Sequence, residues 1–233
     1  MIQEQEYDPL EAYAMRTHFL FRHLTDDEIG LLFINKITET FKRGSIVYRE
    51  GNRMKGFYCV QEGIIKIYKT GPDGKEQIIR FAKPGDIIGY RSVMSNEPAC
   101  TTTEVLEEAI LWHIPTSILI NLVKNNGEFA VEIMKLTCKE LGEANSYLTD
   151  IAQKTVKERL AETLIHLDSE FGTDDHGILK ISLTREEMAN IVGTATESVI
   201  RLLSEFKNEK YIELNGRKIK ILDRPGLKFI AAI

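Results

Sequence analysis

Eight residues near the C-terminal end of this 233-residue chain have the types and spacing to meet duplex DNA. Thr194, Thr196, Glu197, Ser198, Ile200 and Arg201 lie in one stretch, and Arg217 and Lys218 follow a short way on. Arginine bonds guanine O6 and N7 in a fork, and glutamate accepts from cytosine N4. Glu197 and Arg201 stand four apart, so on a helix they share a face and are also able to pair with each other. The plainer roles are a capping carboxylate for Glu197 and a solvated surface charge for Arg201. For Arg201 base contact is the favoured reading; for Glu197, capping and base reading are not exclusive.

Two short helices must position these groups. Thr184-Arg185-Glu186-Glu187 is a capping box that opens a helix through Met188, Ala189 and Ile191. Gly193 breaks it, since glycine takes a left-handed turn easily. Thr194-Ala195-Thr196-Glu197 reads as a second capping box, opening a helix through Val199, Leu202, Leu203 and Phe206. Two helices joined by a short glycine turn make a helix-turn-helix. Tyr211–Leu214 and Arg217–Ile221 then read as strands about an Asn215-Gly216 hairpin turn. That hairpin is a wing, with Arg217, Lys218 and Lys220 placed to meet phosphates.

Upstream, Thr25-Asp26-Asp27-Glu28 is another capping box, followed by Ile29, Leu32 and Phe33 at helical spacing. From about Gly44 the period changes to short strand-like runs: Ser45–Tyr48, Phe57–Val60, Ile64–Tyr68 and Gln77–Phe81. Glu50-Gly51, Glu62-Gly63, Gly71–Gly74 and Pro84–Asp86 bound them as turns, and Thr101–Val105 and Ala109–Ile114 read as two more strands. Regular short strands of this kind predict a sandwich or barrel ending near Pro115. Helix resumes after Thr116. From about Glu128 to Ile151, Met134, Leu141 and Leu148 repeat every seven residues, as do Thr137, Ala144 and Ile151. This narrow seam predicts the same helix of a second subunit as partner, while Phe129, Ile133 and Leu136 cover the barrel. The alternative is one helix packed on both sides within a single chain. After Lys154, Val156, Leu160, Leu164, Ile165 and Leu167 mark a further amphipathic helix, and Ile178–Ile181 a short strand.

The formal net charge of −5 does not advertise nucleic-acid binding, but residues 201–228 hold 8 basic and 4 acidic side chains. The three cysteines, Cys59, Cys100 and Cys138, are odd in number and far apart, which argues against a disulfide framework or zinc site and fits a reducing cytosol. No stretch approaches the roughly 20 apolar residues of a membrane span. The polar start, Met1 to Glu6, lacks a secretion signal's layout, so a cytoplasmic protein with no membrane partner is expected. No nucleophile–base set, metal cluster or phosphate-cradling glycine loop is present, and no enzyme is expected.

On these residues the chain resembles the Crp/Fnr family of bacterial transcription factors over nearly its whole length. The matching features are Glu50-Gly51, Gly63–Tyr68, Asp73-Gly74-Lys75-Glu76, Pro84–Gly89 and the helix-turn-helix Leu183–Leu203. The resemblance implies an α+β fold: an N-terminal β jelly-roll barrel of the cyclic-nucleotide-binding type, a long dimerisation helix and a C-terminal winged helix-turn-helix. The corresponding divisions are 1–126, 127–153 and 154–233. It implies a homodimer reading a palindrome in double-stranded DNA, and RNA polymerase as a partner. Glu197 and Arg201 fall where the family's base-reading glutamate and arginine sit. Thr196 falls where some members carry a further guanine-reading arginine, so a different half-site is expected.

The implied effector pocket comprises Gly89, Tyr90, Arg91, Cys100, Thr101, Ala144 and Asn145. Members that bind cyclic AMP have Gly-Glu for the ribose where this chain has Gly89-Tyr90, and Arg-Ser for the phosphate where it has Cys100-Thr101. The ribose acceptor and the phosphate's counter-charge are both gone, and two adenine-contacting positions become Ala144 and Asn145. Arg91 is either a displaced cation or, more simply, a surface residue. Cyclic AMP is therefore not the expected effector. Iron–sulfur sensing needs four cysteine ligands, which three cysteines do not supply. Haem would need an axial ligand from His18, His23 or His113, and a lone histidine is more often structural; Cys59 and Cys100 read as core residues rather than redox switches. No cofactor is identified, and the small-molecule effector is unknown. Two alternatives remain: a constitutive DNA binder with a vestigial pocket, and a ligand-binding module acting on another protein. The helix-turn-helix and basic wing weigh against the latter.

Overall fold

A computed structural model of the chain describes residues 19–233, so Met1 to Glu6 and His18 lie outside the described residues. The described residues form two compact units, one of residues 19–69 and 79–142, the other of residues 70–78 and 143–233.

The first unit opens with helix α1 (Asp26–Asn35), whose Thr25–Glu28 capping box forms as expected. Strands β1 (Ile37–Phe41), β2 (Ile46–Tyr48), β3 (Gly56–Thr70), β4 (Glu76–Ala82), β5 (Ile87–Ile88) and β6 (Thr102–Pro115) make one sheet system, with a short helix α2 (Tyr90–Ser95) before β6. β1, which begins before the change of period near Gly44, pairs antiparallel with β6 from Ile37↔His113 to Phe41↔Ala109.

Where four strands were expected there are two. Phe57–Val60 and Ile64–Tyr68 are parts of β3, and Thr101–Val105 and Ala109–Ile114 largely parts of β6. Glu62-Gly63 is not a turn but a bulge, where the β3–β6 register slips between Val60 and Ile65. Glycine is required because a Cβ at Gly63 would lie 2.5 Å from the Glu108 carbonyl oxygen. Bulges bend a strand and re-aim its side chains. Phe57, Cys59, Trp112 and Ile114 thus pack with α1 and the helices after the barrel, while Val60, Ile65, Ile67, Val105 and Leu111 fill the other cluster inside it.

Helix α3 (Thr116–Asn125) leads into the long α4 (Gly127–Gln153). Phe129 and Ile133 are buried against the barrel, with Leu136 packed beside them. Met134, Leu141 and Leu148 are 59%, 61% and 66% exposed, so one apolar stripe of α4 is uncovered by its own chain.

The second unit is built on α5 (Val156–Phe171), capped by a Thr155–Glu158 box. It buries Leu160, Ala161, Leu164, Ile165 and Leu167, and packs against α6 (Arg185–Val192), α7 (Thr196–Asn208) and α8 (Arg224–Ala231). Between α7 and α8 lies a hairpin of β7 (Ile212–Asn215) and β8 (Lys218–Ile221). Ile178–Ile181 is no regular strand: only isolated bridges form there, including Ile178 to Lys220 on the edge of β8 away from β7.

Candidate nucleic-acid interface

α7 is two-faced. Val199, Leu202, Leu203 and Phe206 are buried, while Glu197, Ile200, Arg201 and Ser204 form the exposed face. Burying one face fully fixes the helix's rotation, so the opposite residues point outward as a set. Arg201 is 70% exposed and its ion pair is with Glu205, at 3.8 Å, rather than with Glu197. An exposed pair at that distance contributes little. It leaves the guanidinium available.

The second capping box does not form. The N-cap of α7 is Ala195, without a side-chain cap, because the helix starts one residue later than the Thr-x-x-Glu spacing requires. Thr194 sits in the turn before the cap, its N–H donating to the Ala189 carbonyl. Glu197 is thereby relieved of the capping role. Thr194, Thr196 and Ser198 are half-buried around this uncapped end, where the Ser198 N–H donates to the Ala195 carbonyl and no side chain caps the first turn. By contrast α6 is capped as expected, Thr184 Oγ1 accepting from the Glu187 N–H at 3.0 Å.

The wing turn is shifted by one residue. Asn215 pairs with Lys218, so the two-residue loop is Gly216-Arg217, with glycine (φ +59°) at the first central position. Arg217 thus stands at the tip, exposed beside Lys218. Lys220 is half-buried and lies along Gly177 rather than outward. Arg185, which the sequence showed only as part of a capping box, donates Nη2 to the Gly216 carbonyl at 2.8 Å and ties the start of α6 to the wing tip. Its buried Nη1 has no hydrogen-bond partner.

In the barrel unit, Tyr90, Arg91, Ser92, Cys100 and Thr137 line a pocket of 340 Å³. Tyr90, Arg91 and Cys100 are brought together as the sequence suggested; Gly89, Thr101, Ala144 and Asn145 are not in its wall, and the last two are exposed on α4. Thr137, expected in the seam of α4, is exposed and also borders this pocket. Tyr90 is buried, and its hydroxyl donates to Glu140 Oε2 at 3.0 Å. Arg80 meets Glu140 Oε1 at 3.0 Å and donates to the Ile87 carbonyl at 3.3 Å. Burial first, and the Glu140 carboxylate second, push the Tyr90 phenol up, so it stays a proton donor. Sequence reasoning missed Arg80 and Glu140, which lie on separate elements with no local motif.

The histidines raised for haem have structural surroundings. His113 lies against the Tyr58 ring, 4.9 Å between centroids, and His23 is 3.9 Å from Glu132. Cys59 is fully buried, and burial pushes its thiol up, as for an inert core cysteine.

Residues 38–126 match the cyclic nucleotide-binding domain, and residues 158–230 match the Crp-like helix-turn-helix domain. The chain belongs to the Crp/Fnr family. Among relatives of this Crp/Fnr regulator, the CRP-like cAMP-activated global transcriptional regulator of Mycobacterium tuberculosis is 28% identical over 80% of this chain and 84% of that protein. The transcriptional activator Anr of Pseudomonas protegens is 27% identical over 85% of this chain and 82% of its own length. Among solved structures, FixK2 from Bradyrhizobium japonicum shares the fold with a TM-score of 0.77, at 23% identity over 85% of this chain and 98% of that one. A CRP/FNR-family transcriptional regulator from Thermus thermophilus gives 0.71, at 25% identity over 84% and 99%. The chain is thus a DNA-binding transcription regulator of the CRP/FNR type. No helix among its described residues is long and apolar enough to cross a membrane.

Proposed function

We propose that this Crp/Fnr regulator reads a palindromic DNA site as a homodimer, with α7 in the major groove and the β7–β8 wing against the phosphates. Glu197, Ile200 and Arg201 meet base edges; Thr194, Thr196, Ser198, Arg217 and Lys218 meet the backbone. The observation that carries this is the exposed Glu197–Ile200–Arg201 face, fixed outward by complete burial of the other side of α7. The second subunit covers Met134, Leu141 and Leu148, with Ala144 and Ile151 at its edge, since an uncovered apolar stripe of heptad spacing is what a parallel partner helix buries. Dimer symmetry then sets half-sites about 34 Å apart. The barrel acts as the sensor, α4 as the dimerisation helix and residues 154–233 as the reader, and RNA polymerase is the downstream partner in the cytoplasm.

The test is selection of bound duplexes from random DNA, expecting an inverted repeat, with the L141D/L148D variant as control. That variant should sediment as a monomer and bind the repeat at least about 100-fold more weakly, because the two half-sites no longer share one tethered ligand. A selected site without two-fold symmetry, or an unaltered dimer, defeats the reading.

The effector is a small molecule at the Tyr90–Cys100 pocket and is not cyclic AMP. Arg80 is already engaged by Glu140, and Tyr90 fills the position of a ribose acceptor. The same network favours a second reading, DNA binding with no effector, since the chain's own groups bridge barrel and helix. Protein refolded free of small molecules separates the two: undiminished binding supports the second reading, and binding restored by an added extract supports the first. Micromolar affinity for cyclic AMP in calorimetry would overturn the exclusion.

A further inference from the structure

The turn inside the helix-turn-helix is gripped from outside. α6 ends at Val192, and the last carbonyls of a helix have no partner within it. Gln77, on β4, donates its side-chain amide to the carbonyl oxygens of Asn190 and of Ile191. Arg159, on α5, donates Nε to the Val192 carbonyl at 2.9 Å and Nη2 to the Gly193 carbonyl at 3.4 Å. Its Nη1 donates to the Lys154 carbonyl, just past the end of α4, at 2.7 Å. Carbonyls 190 to 193 therefore accept, in sequence, from two side chains outside the motif.

The same turn is packed tightly. Gly193 has φ +70°, and a Cβ there would lie 2.9 Å from Ile151 Cδ1, 3.4 Å from Gln77 Oε1 and 3.5 Å from the Tyr147 hydroxyl. α7 leaves this turn two residues later with no side-chain cap of its own. Its direction is therefore set by what holds the turn. Residues 70–78, which carry Gln77, belong to the same compact unit as the motif, although β4 runs on into the barrel.

We propose that Gln77 is a positioning residue for the recognition helix: its amide, with Arg159, fixes the turn from which α7 departs and so the angle at which Glu197 and Arg201 meet the bases. The proposal rests on the DNA-reading function above. Gln77 is half-buried and its amide bonds the carbonyls that end α6 rather than a reading residue, so it acts through geometry.

The test uses the full-length protein, the selected duplex and a random duplex, with Q77A, Q77E and Q77K. Q77A should bind the selected duplex about fivefold more weakly, the worth of one ordinary hydrogen bond. Its affinity for the random duplex and its salt slope should stay the same, because the wing cations are untouched. Q77E lacks an N–H and sets a negative charge against the helix's C-terminal carbonyls, so it should be weaker than Q77A. Q77K restores a donor and should recover to within about twofold of wild type. Should a variant melt early, the ratio of selected to random affinity, read below its melting temperature, still decides. Equal affinities across the series, or parallel loss on both duplexes, overturn the proposal. Wild-type protein with no sequence preference would instead defeat the DNA reading itself.

Discussion

The barrel and the helix-turn-helix use their charged groups in opposite ways. In the barrel, Arg80, Tyr90 and Glu140 answer one another at 3.0 Å. On the reading face, Arg201 is 70% exposed with one loose ion pair, and Arg217 and Lys218 project from the wing. A charge with good internal partners is already stabilised, and moving it to an outside ligand means breaking what it has. A charge in water with a weak partner gives up little when a base or phosphate arrives. The contrast assigns stability to the first set and fits the recognition role proposed for the second.

The sharpest way to break that division is R201A. Loss of the fork to guanine should weaken binding of the selected duplex by about 1–3 kcal/mol and relax preference at one base pair. The melting temperature should not move, since an exposed pair at 3.8 Å to Glu205 is all that is lost. R217Q and K218Q should instead weaken all duplexes alike and reduce the salt slope by about 1 each. A stability loss in R201A equal to its binding loss would erase the distinction.

How far the chain announced itself differs between the two regions for a related reason. The helix-turn-helix was legible because capping boxes, a glycine turn and a buried stripe are local, and Thr184–Glu187 forms as written. The box at Thr194–Glu197 had the same letters and failed, because tertiary packing starts α7 at Thr196 and leaves Ala195 as cap. Thr155–Glu158 has those letters too and forms, at the start of α5. In the barrel, bulges defeated strand counting, since Gly63 looks like a turn residue until Ala109 and the Glu108 carbonyl are seen against it. Arg80 and Glu140 lie sixty residues apart on different elements, and no spacing rule joins them. On α4 the heptad positions Met134, Leu141 and Leu148 are uncovered, as are Thr137 and Ala144 beside them; a period marks such a stripe but does not say what covers it.

The barrel side of the comparison is tested by E140A. Removing the carboxylate leaves Arg80 without its counter-ion, though still bonded to the Ile87 carbonyl, and takes this acceptor from the Tyr90 hydroxyl, in a part-buried setting with side-chain exposures of 28% for Arg80 and 15% for Glu140. Stability should fall by about 2 kcal/mol, below the 3–5 of a fully buried broken pair because water reaches Arg80. Y90F should cost about 1 kcal/mol. Denaturant titration measures both, and neither should alter which base pairs are preferred below the transition.

The smallest effect falls where the two classes touch. Lys157 on α5 meets Glu205 on α7 at 2.6 Å, and Glu205 also receives Arg201. The hydrogen bond from Lys157 holds the Glu205 carboxyl below its usual value, and the same bond holds Lys157 above its own. A carboxyl lowered in the folded state stabilises above its unfolded value of about 4.3, and that contribution is lost as pH falls through the lower folded value. A raised lysine stabilises below its unfolded value of about 10.4, and that contribution is lost as pH climbs through the higher folded value. The pair's contribution is therefore full across neutral pH and fades toward both extremes. K157Q should lower the melting temperature slightly at pH 7, and the difference from wild type should close on acidification past the Glu205 transition. With Lys157 gone, Glu205 has Arg201 as its remaining cation, an i,i+4 pair on one helix. That draws Arg201 toward an internal partner and should weaken the selected duplex by about twofold at low salt, an effect that vanishes as salt screens the pair. A tighter complex in K157Q would mean that Arg201 is not the residue whose freedom matters.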